Sequence, residues 1–566
     1  MRRNLAFLHI GPRNRSCNPR EVMRWFLVLL VACASPHGHD GSRADDGGLG
    51  DGDGGVVGGN DASVPGAPLS TPPKLLSGGL YPRAILAANG YIYASLVTGQ
   101  PNGVFGGSIF ESTDDGLTFT RVGGIDDPIL NSGDCCATLY ELPHALGALP
   151  AGTLLWATSV GQGMPTNHMS IVMWASTDHG RTWARQSTIV TAPQPVACNG
   201  LSCGLWEPEL VLLDNGTLVC HFSDETSAAH SQYLAERTST DGVTWSASRA
   251  TVAPTASASR PGMANVRRMA NGTYVMSYEV CGTDACNVHI RTSANGVDWG
   301  DPNDIGPRPT TVDGRYFVHA PTLAFDATDG ANGRFFLVGQ LAGGGTPQEN
   351  GSILLANTES TSRAWYELAA PVAVPNAYDN FCPNYSSPLL PLDHGAAVLE
   401  IATRYDGTAC NAYFARGPLR GTGDATGVAD GSRYRLVSVM SSLCVDVTGG
   451  SAAAGTQIQQ YACTGNIAQN WTLAKNADGR YALRSQISGL CLAATGDTAG
   501  ATVQQLACDG SAAQAWTLDN VGRGYFRLVR GGNCLDVSGG SLDSGAHIQQ
   551  WTCNNLSPQI WHLEPS

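Results

Sequence analysis

Short apolar runs cut by polar turns dominate this chain, and long amphipathic helical stretches are absent. A small turn ending in Gly, followed by an apolar run, recurs six times at a step of about 60 residues. The turns are Asn89-Gly90, Ala151-Gly152, Asn215-Gly216, Asn271-Gly272, Asn332-Gly333 and His394-Gly395. Val211-Leu212-Leu213 precedes the third turn and Thr217-Leu218-Val219 follows it, both with strand composition. Asn-Gly between two such runs is the strongest local hairpin signal. Each unit has room for four strands, and six such units predict a six-bladed β-propeller over residues 75–420.

A second period follows. Gln469-Asn470-Trp471, Gln514-Ala515-Trp516 and Gln559-Ile560-Trp561 are spaced by 45 residues, and Cys463, Cys508 and Cys553 keep the same step. One unit of that length is too small to bury a core, so three copies must pack together. This stretch, residues 433–566 after a Gly-rich linker over 421–432, resembles the ricin-type β-trefoil lectins. The expected class is therefore all-β: a six-bladed propeller plus a C-terminal β-trefoil. In the resembling family a working sugar site pairs an Asp just after the first Cys with an aromatic platform before the second. Repeat one carries Asp446, Gln459 and Tyr461, and repeat three carries Asp536, Gln549 and Trp551. Repeat two has Ala493 and Leu506 at the Asp and aromatic places. It offers neither acceptor nor flat ring, so a structural role is expected.

The bulk numbers narrow the class. The chain of 566 residues carries a net charge of −14, which argues against nucleic acid and favours a neutral polymer. No cofactor is implied, and a monomer is expected. Arg24 precedes a short apolar run from Trp25 to Ala32, which reads as an export signal over residues 1–33. Leu30-Val31-Ala32-Cys33 resembles a bacterial lipobox, with a lipid anchor at Cys33 as one outcome and plain secretion as the other. Residues 34–74 are rich in Gly, Asp, Ser and Pro and read as a disordered linker. An extracellular or surface-anchored bacterial protein is the resulting expectation, and there cysteines pair. The repeat itself pairs Cys444 with Cys463, Cys491 with Cys508 and Cys534 with Cys553. The middle region holds nine cysteines, so at least one is unpaired. Cys198 with Cys203 and Cys281 with Cys286 form plausible small loops; metal ligation is the rival reading, but no His cluster accompanies them.

Ser112-Thr113-Asp114-Asp115-Gly116-Leu117-Thr118-Phe119 and Ser176-Thr177-Asp178-His179-Gly180-Arg181-Thr182-Trp183 share the pattern Ser-x-Asp-x-Gly-x-Thr-aromatic. Variant copies end at Trp245 and Trp299. They resemble the Asp boxes of sialidase-like propellers, a structural turn rather than a catalytic one. Catalysis is expected in the central funnel, where carboxylates interrupt apolar strands. The runs Trp206-Glu207-Pro208-Glu209-Leu210, Phe222-Ser223-Asp224-Glu225, Arg260-Pro261-Gly262-Met263, Ser277-Tyr278-Glu279 and Tyr81-Pro82-Arg83 resemble the exo-arabinanase family of glycosidases. That resemblance implies Glu207 as acid/base and Glu279 as nucleophile of a retaining, exo-acting enzyme on plant-type polysaccharide. Glycosidic cleavage needs such a pair, one carboxylic acid and one carboxylate. Glu209 falls on the same strand face as Glu207 by simple alternation and competes for the role. Arg83, Asp224, Arg260 and His319 are candidate substrate contacts. An exo-sialidase is one alternative, with Arg83, Arg260 and Arg404 as an arginine triad and Tyr278 as nucleophile. A non-catalytic carbohydrate-binding surface protein is the other.

Overall fold

The computed structural model describes residues 67–99, 105–198, 201–328, 332–359, 363–393, 396–418 and 428–566. The expected export signal and most of the two expected linkers lie outside them. Six antiparallel sheets form the blades of a propeller. Their inner strands begin at Leu80, Asp134, Leu205, Arg260, Thr322 and Leu389. The foreseen turns join first to second strands in blades 1 to 5, as between Leu205–Leu212 and Leu218–Asp224. His394-Gly395 lies outside the described residues. In three of these turns the Asn side chain accepts the N–H two residues on (Tyr91, Thr217 and Thr273, each at 3.0 Å). The following Gly takes φ of +80°, +80° and +87°, a region that favours glycine.

Blade 6 supplies only three strands from its own stretch. Its fourth is Lys74–Gly78, which pairs with Ala409–Pro418 and closes the ring. Thr71 already bonds Arg416 in both directions. The linker expected to reach residue 74 therefore ends earlier. Its last residues are held because the open edge of the last blade needs a partner.

The Ser-x-Asp turns are built as local hydrogen-bond cages. Ser112 Oγ accepts from Gly116 N–H at 2.9 Å, and Asp114 takes the backbone and hydroxyl of Thr118 at 2.9 and 2.6 Å. Ser176, Asp178, Gly180 and Thr182 repeat the cage. These acids are spent on turn geometry.

The trefoil shows its three-fold repeat in hydrogen bonds. Trp471, Trp516 and Trp561 are fully buried, and each indole donates to a backbone carbonyl, of Val445, Leu492 and Leu535. Gln460, Gln505 and Gln550, also fully buried, each donate to two carbonyls of another repeat. The three repeats thus stitch into a closed ring. All three expected disulfides are present.

In the propeller Cys281–Cys286 and Cys382–Cys410 are bonded, and Cys220 is a buried free thiol. Cys203 is disulfide-bonded, while the side chain of Cys198, its expected partner, lies outside the described residues. The adjacent pair Cys135–Cys136 was not foreseen.

Blade 6 also buries Glu400 completely. One of its oxygens accepts from Val372 N–H at 2.8 Å and the other has no partner. Burial pushes its pKa up to about 8. A carboxyl raised in this way holds its proton in the folded state. Its favourable share is full below the ordinary carboxylate range and is lost as pH rises toward 8. The Glu400→Gln variant should therefore show a smaller fall in Tm between pH 5 and pH 8 than the native protein. Parallel Tm curves would remove Glu400 from that balance.

Candidate active site

The inner strands carry a shared irregularity at the propeller axis. Tyr81, Cys136, Glu207, Met263, Ala320 and Ser386, one per blade, all have φ between +49° and +66°. In blades 1 to 4 the strand register slips there, between Leu80 and Arg83, Cys135 and Thr138, Trp206 and Glu209, and Gly262 and Asn265. Such bulges re-aim a side chain, and non-glycine residues hold this conformation only where the surroundings enforce it. Tyr81, Met263 and Ala320 pack in one buried cluster, with Cys136 and Tyr385 against it.

Glu207 is the acidic member of this ring. Its Oε2 accepts from Ser223 Oγ at 2.7 Å and from Met263 N–H at 2.9 Å. Burial and then the charge of Glu279 push its pKa up to about 7. Glu279 sits on the second strand of blade 4, in register with Gly262 of the inner strand. A Cβ on Gly262 would lie 2.5 Å from Gln232 Nε2 and 3.4 Å from Glu207 Oε2, so this position beside Glu207 has no room for a side chain. Glu279 Oε2 accepts from Ala320 N–H at 2.6 Å, and its Oε1 faces His319 Nε2 at 3.6 Å. Burial raises its pKa as well, opposed by the His319 charge and the Ala320 bond.

His319 is oriented from behind. Gln340 uses its amide N–H groups on the carbonyls of Asn380 and Pro383. Its Oε1 is therefore the acceptor for His319 Nδ1–H at 2.9 Å, which turns Nε2 toward Glu279. Burial disfavours the imidazolium, but Glu279 and Asp379 outweigh it and raise the His319 pKa.

The other expected site residues divide. Arg260 is engaged by Glu225, by Gln232 Oε1 at 2.6 Å and by the carbonyl of Ser231 at 3.0 Å. Arg83 lies over the Tyr81 ring, 4.2 Å from its centre, and donates to Ser386. Asp224 is closed off locally: Thr226 and the Tyr233 hydroxyl occupy both oxygens. Its neighbour Glu225 reaches Arg260 and the Trp206 indole instead. Glu209 is a structural acid, held by Arg267 at 2.6 Å and Thr138 at 3.2 Å. Tyr278 is fully buried, points away from Glu279 and donates to the carbonyl of Ile305. Arg404 stacks on Tyr413 and pairs with Asp406. Among the described residues Cys281, Cys286 and His319 form the one compact trio of metal-ligating types, and its two sulfurs are bonded to each other.

Sequence reasoning missed Ser223, Gln340, Asp379 and Glu225. It also missed Asp134 beside the vicinal disulfide, whose pKa burial lifts to about 7 and whose Oδ2 has no partner. An acid within the inner-strand sequence, the signal that exposed Glu207, was available for Asp134.

In the trefoil, Gln459 donates to Asp446 and Gln549 to Asp536, both at 2.9 Å. Tyr461 and Trp551 on the same strand pairs stand 45% and 44% exposed, so the two rings face solvent while Asp446 and Asp536 themselves are buried. Gln504 faces Ala493 across the same strand pair of repeat two.

Residues 432–564 match the ricin-type beta-trefoil lectin domain family. No curated protein matches the chain. Among solved structures the chain is similar to the Penicillium chrysogenum alpha-L-arabinanase complexed with arabinobiose, at 24% identity and a TM-score of 0.52. That match covers 62% of this chain and 99% of the other. It is also similar to the GH93 alpha-L-arabinofuranosidase of Fusarium graminearum with arabinobiose, at 22% identity, a TM-score of 0.52 and the same coverage. Both likenesses establish the fold of the propeller.

Proposed function

We propose that this chain is an exported, retaining, exo-acting glycosidase of the arabinanase kind, with Glu207 as acid/base and Glu279 as nucleophile. The observation that carries it is the split environment of two carboxyls on neighbouring blades. Glu207 sits in an apolar, like-charged setting that keeps a proton near neutral pH. Glu279 faces an oriented histidine whose positive charge favours the carboxylate. Burial raises both acids, but the leading neighbouring charge acts oppositely on each, Glu279 raising Glu207 and His319 lowering Glu279, and that contrast assigns the roles. The folds that bind arabinobiose among the similar structures support arabinofuranosyl chains as the substrate.

In the first step Glu207 gives its proton to the glycosidic oxygen while Glu279 attacks the anomeric carbon. The C–O bond breaks and the leaving sugar departs as an alcohol. Glu207, now ionised, takes a proton from water, which displaces Glu279 from the same carbon. Two inversions give net retention, which asks for carboxyls about 5–5.5 Å apart. The trefoil pairs Asp446, Gln459, Tyr461 and Asp536, Gln549, Trp551 serve as sugar sites that hold polymer near the funnel. The disulfides suit an extracellular setting.

The test is an end-point and stereochemical one. Purified protein should release small sugars from linear arabinan, and NMR of the first product should show the anomer of the substrate. The inverted anomer would remove Glu279 as nucleophile. Cleavage of sialosides instead would favour the sialidase alternative, and sugar binding with no hydrolysis would favour the non-catalytic one.

A further inference from the structure

The connection between blades 5 and 6 presents aromatic rings to solvent from a fixed backbone. Tyr378 is 54% and Phe381 38% exposed, and the Tyr405 ring meets Phe381 edge-on at 6.5 Å. An exposed ring on a fraying loop would carry no message, but this loop is pinned. Gln340, itself fully buried, bonds the carbonyls of Asn380 and Pro383. Cys382 is bridged to Cys410, Asn384 donates to Gly339 O at 3.1 Å, and the Tyr405 hydroxyl donates to Asn380 Oδ1 at 2.9 Å. Asn376, Asn384 and Ser386 all hold positive φ, a form of strain that gathers at ligand clamps.

The same loop touches the candidate active site. Asp379, between the two rings in sequence, lies 3.4 Å from His319 Nδ1, and His319 faces Glu279. We propose that Tyr378, Phe381 and Tyr405 form a stacking platform at the funnel mouth for a sugar of the same neutral glycan chain, outside the residue being cleaved. The inference rests on the glycosidase reading of the funnel. A flat ring already held in place covers the apolar face of a sugar with little ordering cost. The chain's charge of −14 disfavours a polyanionic occupant.

Full-length Tyr378→Ala/Phe381→Ala protein should show a KM on arabino-oligosaccharides that worsens with chain length. Relative to wild type the rise should reach roughly tenfold for the longer chains, with kcat little moved. A KM ratio that stays flat with length overturns the platform. A glycan array separates this result from failure of the glycosidase reading. Both proteins would carry Asp446→Ala and Asp536→Ala, so that the trefoil sites are silent. Weaker oligosaccharide binding by the platform variant supports the proposal whatever sugar is cleaved. Equal binding across the array overturns it, even if arabinan proves to be the substrate.

Discussion

Glu207→Gln should lower kcat/KM on arabinan by about 10²–10⁴-fold, the usual contribution of a positioned acid/base. It should also remove the alkaline limb of the pH profile. The sign follows from the role. Glu207 works as an acid only while protonated, and its pKa is pushed up to about 7. Native activity should therefore fall as pH rises through about 7. Glutamine keeps the size and can still accept from Ser223 and Met263 N–H, yet it has no proton to give. The loss should shrink on an aryl arabinoside, whose leaving group needs little protonation. Glu279→Gln should be as damaging on both substrates, because nothing replaces the bond it forms. The acid limb reports Glu279, which must be ionised to attack. Burial drives its pKa up while His319 restrains it. Stopped assays of both variants from pH 4 to 9 decide the matter. Native-level turnover in Glu207→Gln, or an unchanged alkaline limb, would sink the acid assignment.

The repeats were legible because each is written locally. Asn-Gly turns and Ser-x-Asp cages satisfy their own backbone within a few residues, so the sequence near each one suffices, whereas the Gln-x-Trp triplets show through their fixed 45-residue period although each indole bonds a carbonyl of a distant strand. Glu207 and Glu279 stood out as candidates because a carboxylate is costly in an apolar strand. What failed was the assumption of strict alternation. It put Glu207 and Glu209 on one face, but the register slip between Trp206 and Glu209 separates them. Glu207 turns to Ser223 and Met263, and Glu209 to Arg267 and Thr138. The six axial residues of positive φ share no side-chain type, and none is Gly, so no sequence signal marks them. Asp224 and Glu225 are placed differently by the fold. Asp224-Glu225-Thr226 carries a local turn pattern that consumes the Asp and frees its neighbour. Gln340 and Asp379 arrive at His319 from separate segments of the chain, which the folding of blade 5 and its exit loop brings together.

Deleting residues 428–566 should destabilise the propeller rather than merely untether it. The sequence suggested a lectin joined only through a Gly-rich linker, but the two domains share a core. Val439, Val521, Tyr525 and Ile560 of the trefoil lie buried with Phe336, Leu354, Trp365 and Tyr366 of blade 5. The Tyr525 hydroxyl donates to Asp313 at 2.7 Å, and Ser557 N–H to Glu359 at 3.0 Å. Each large apolar side chain uncovered costs about 1.5–3 kcal/mol, so losing the contact removes a large fraction of a typical stability margin. The truncated protein should melt well below the full chain, or precipitate, and lose activity on aryl arabinoside and arabinan alike. Asp446→Ala with Asp536→Ala makes the contrast. Those acids bond only within the trefoil, to Gln459, Gln549 and Gln559, and neither contacts the propeller directly. That variant should keep its Tm and its turnover of the small substrate, yet act roughly tenfold or more slowly on insoluble polymer, because linked sites raise local concentration. Changes at Ala493 should be silent. A truncated protein with native Tm and native small-substrate turnover would show that the shared core is dispensable.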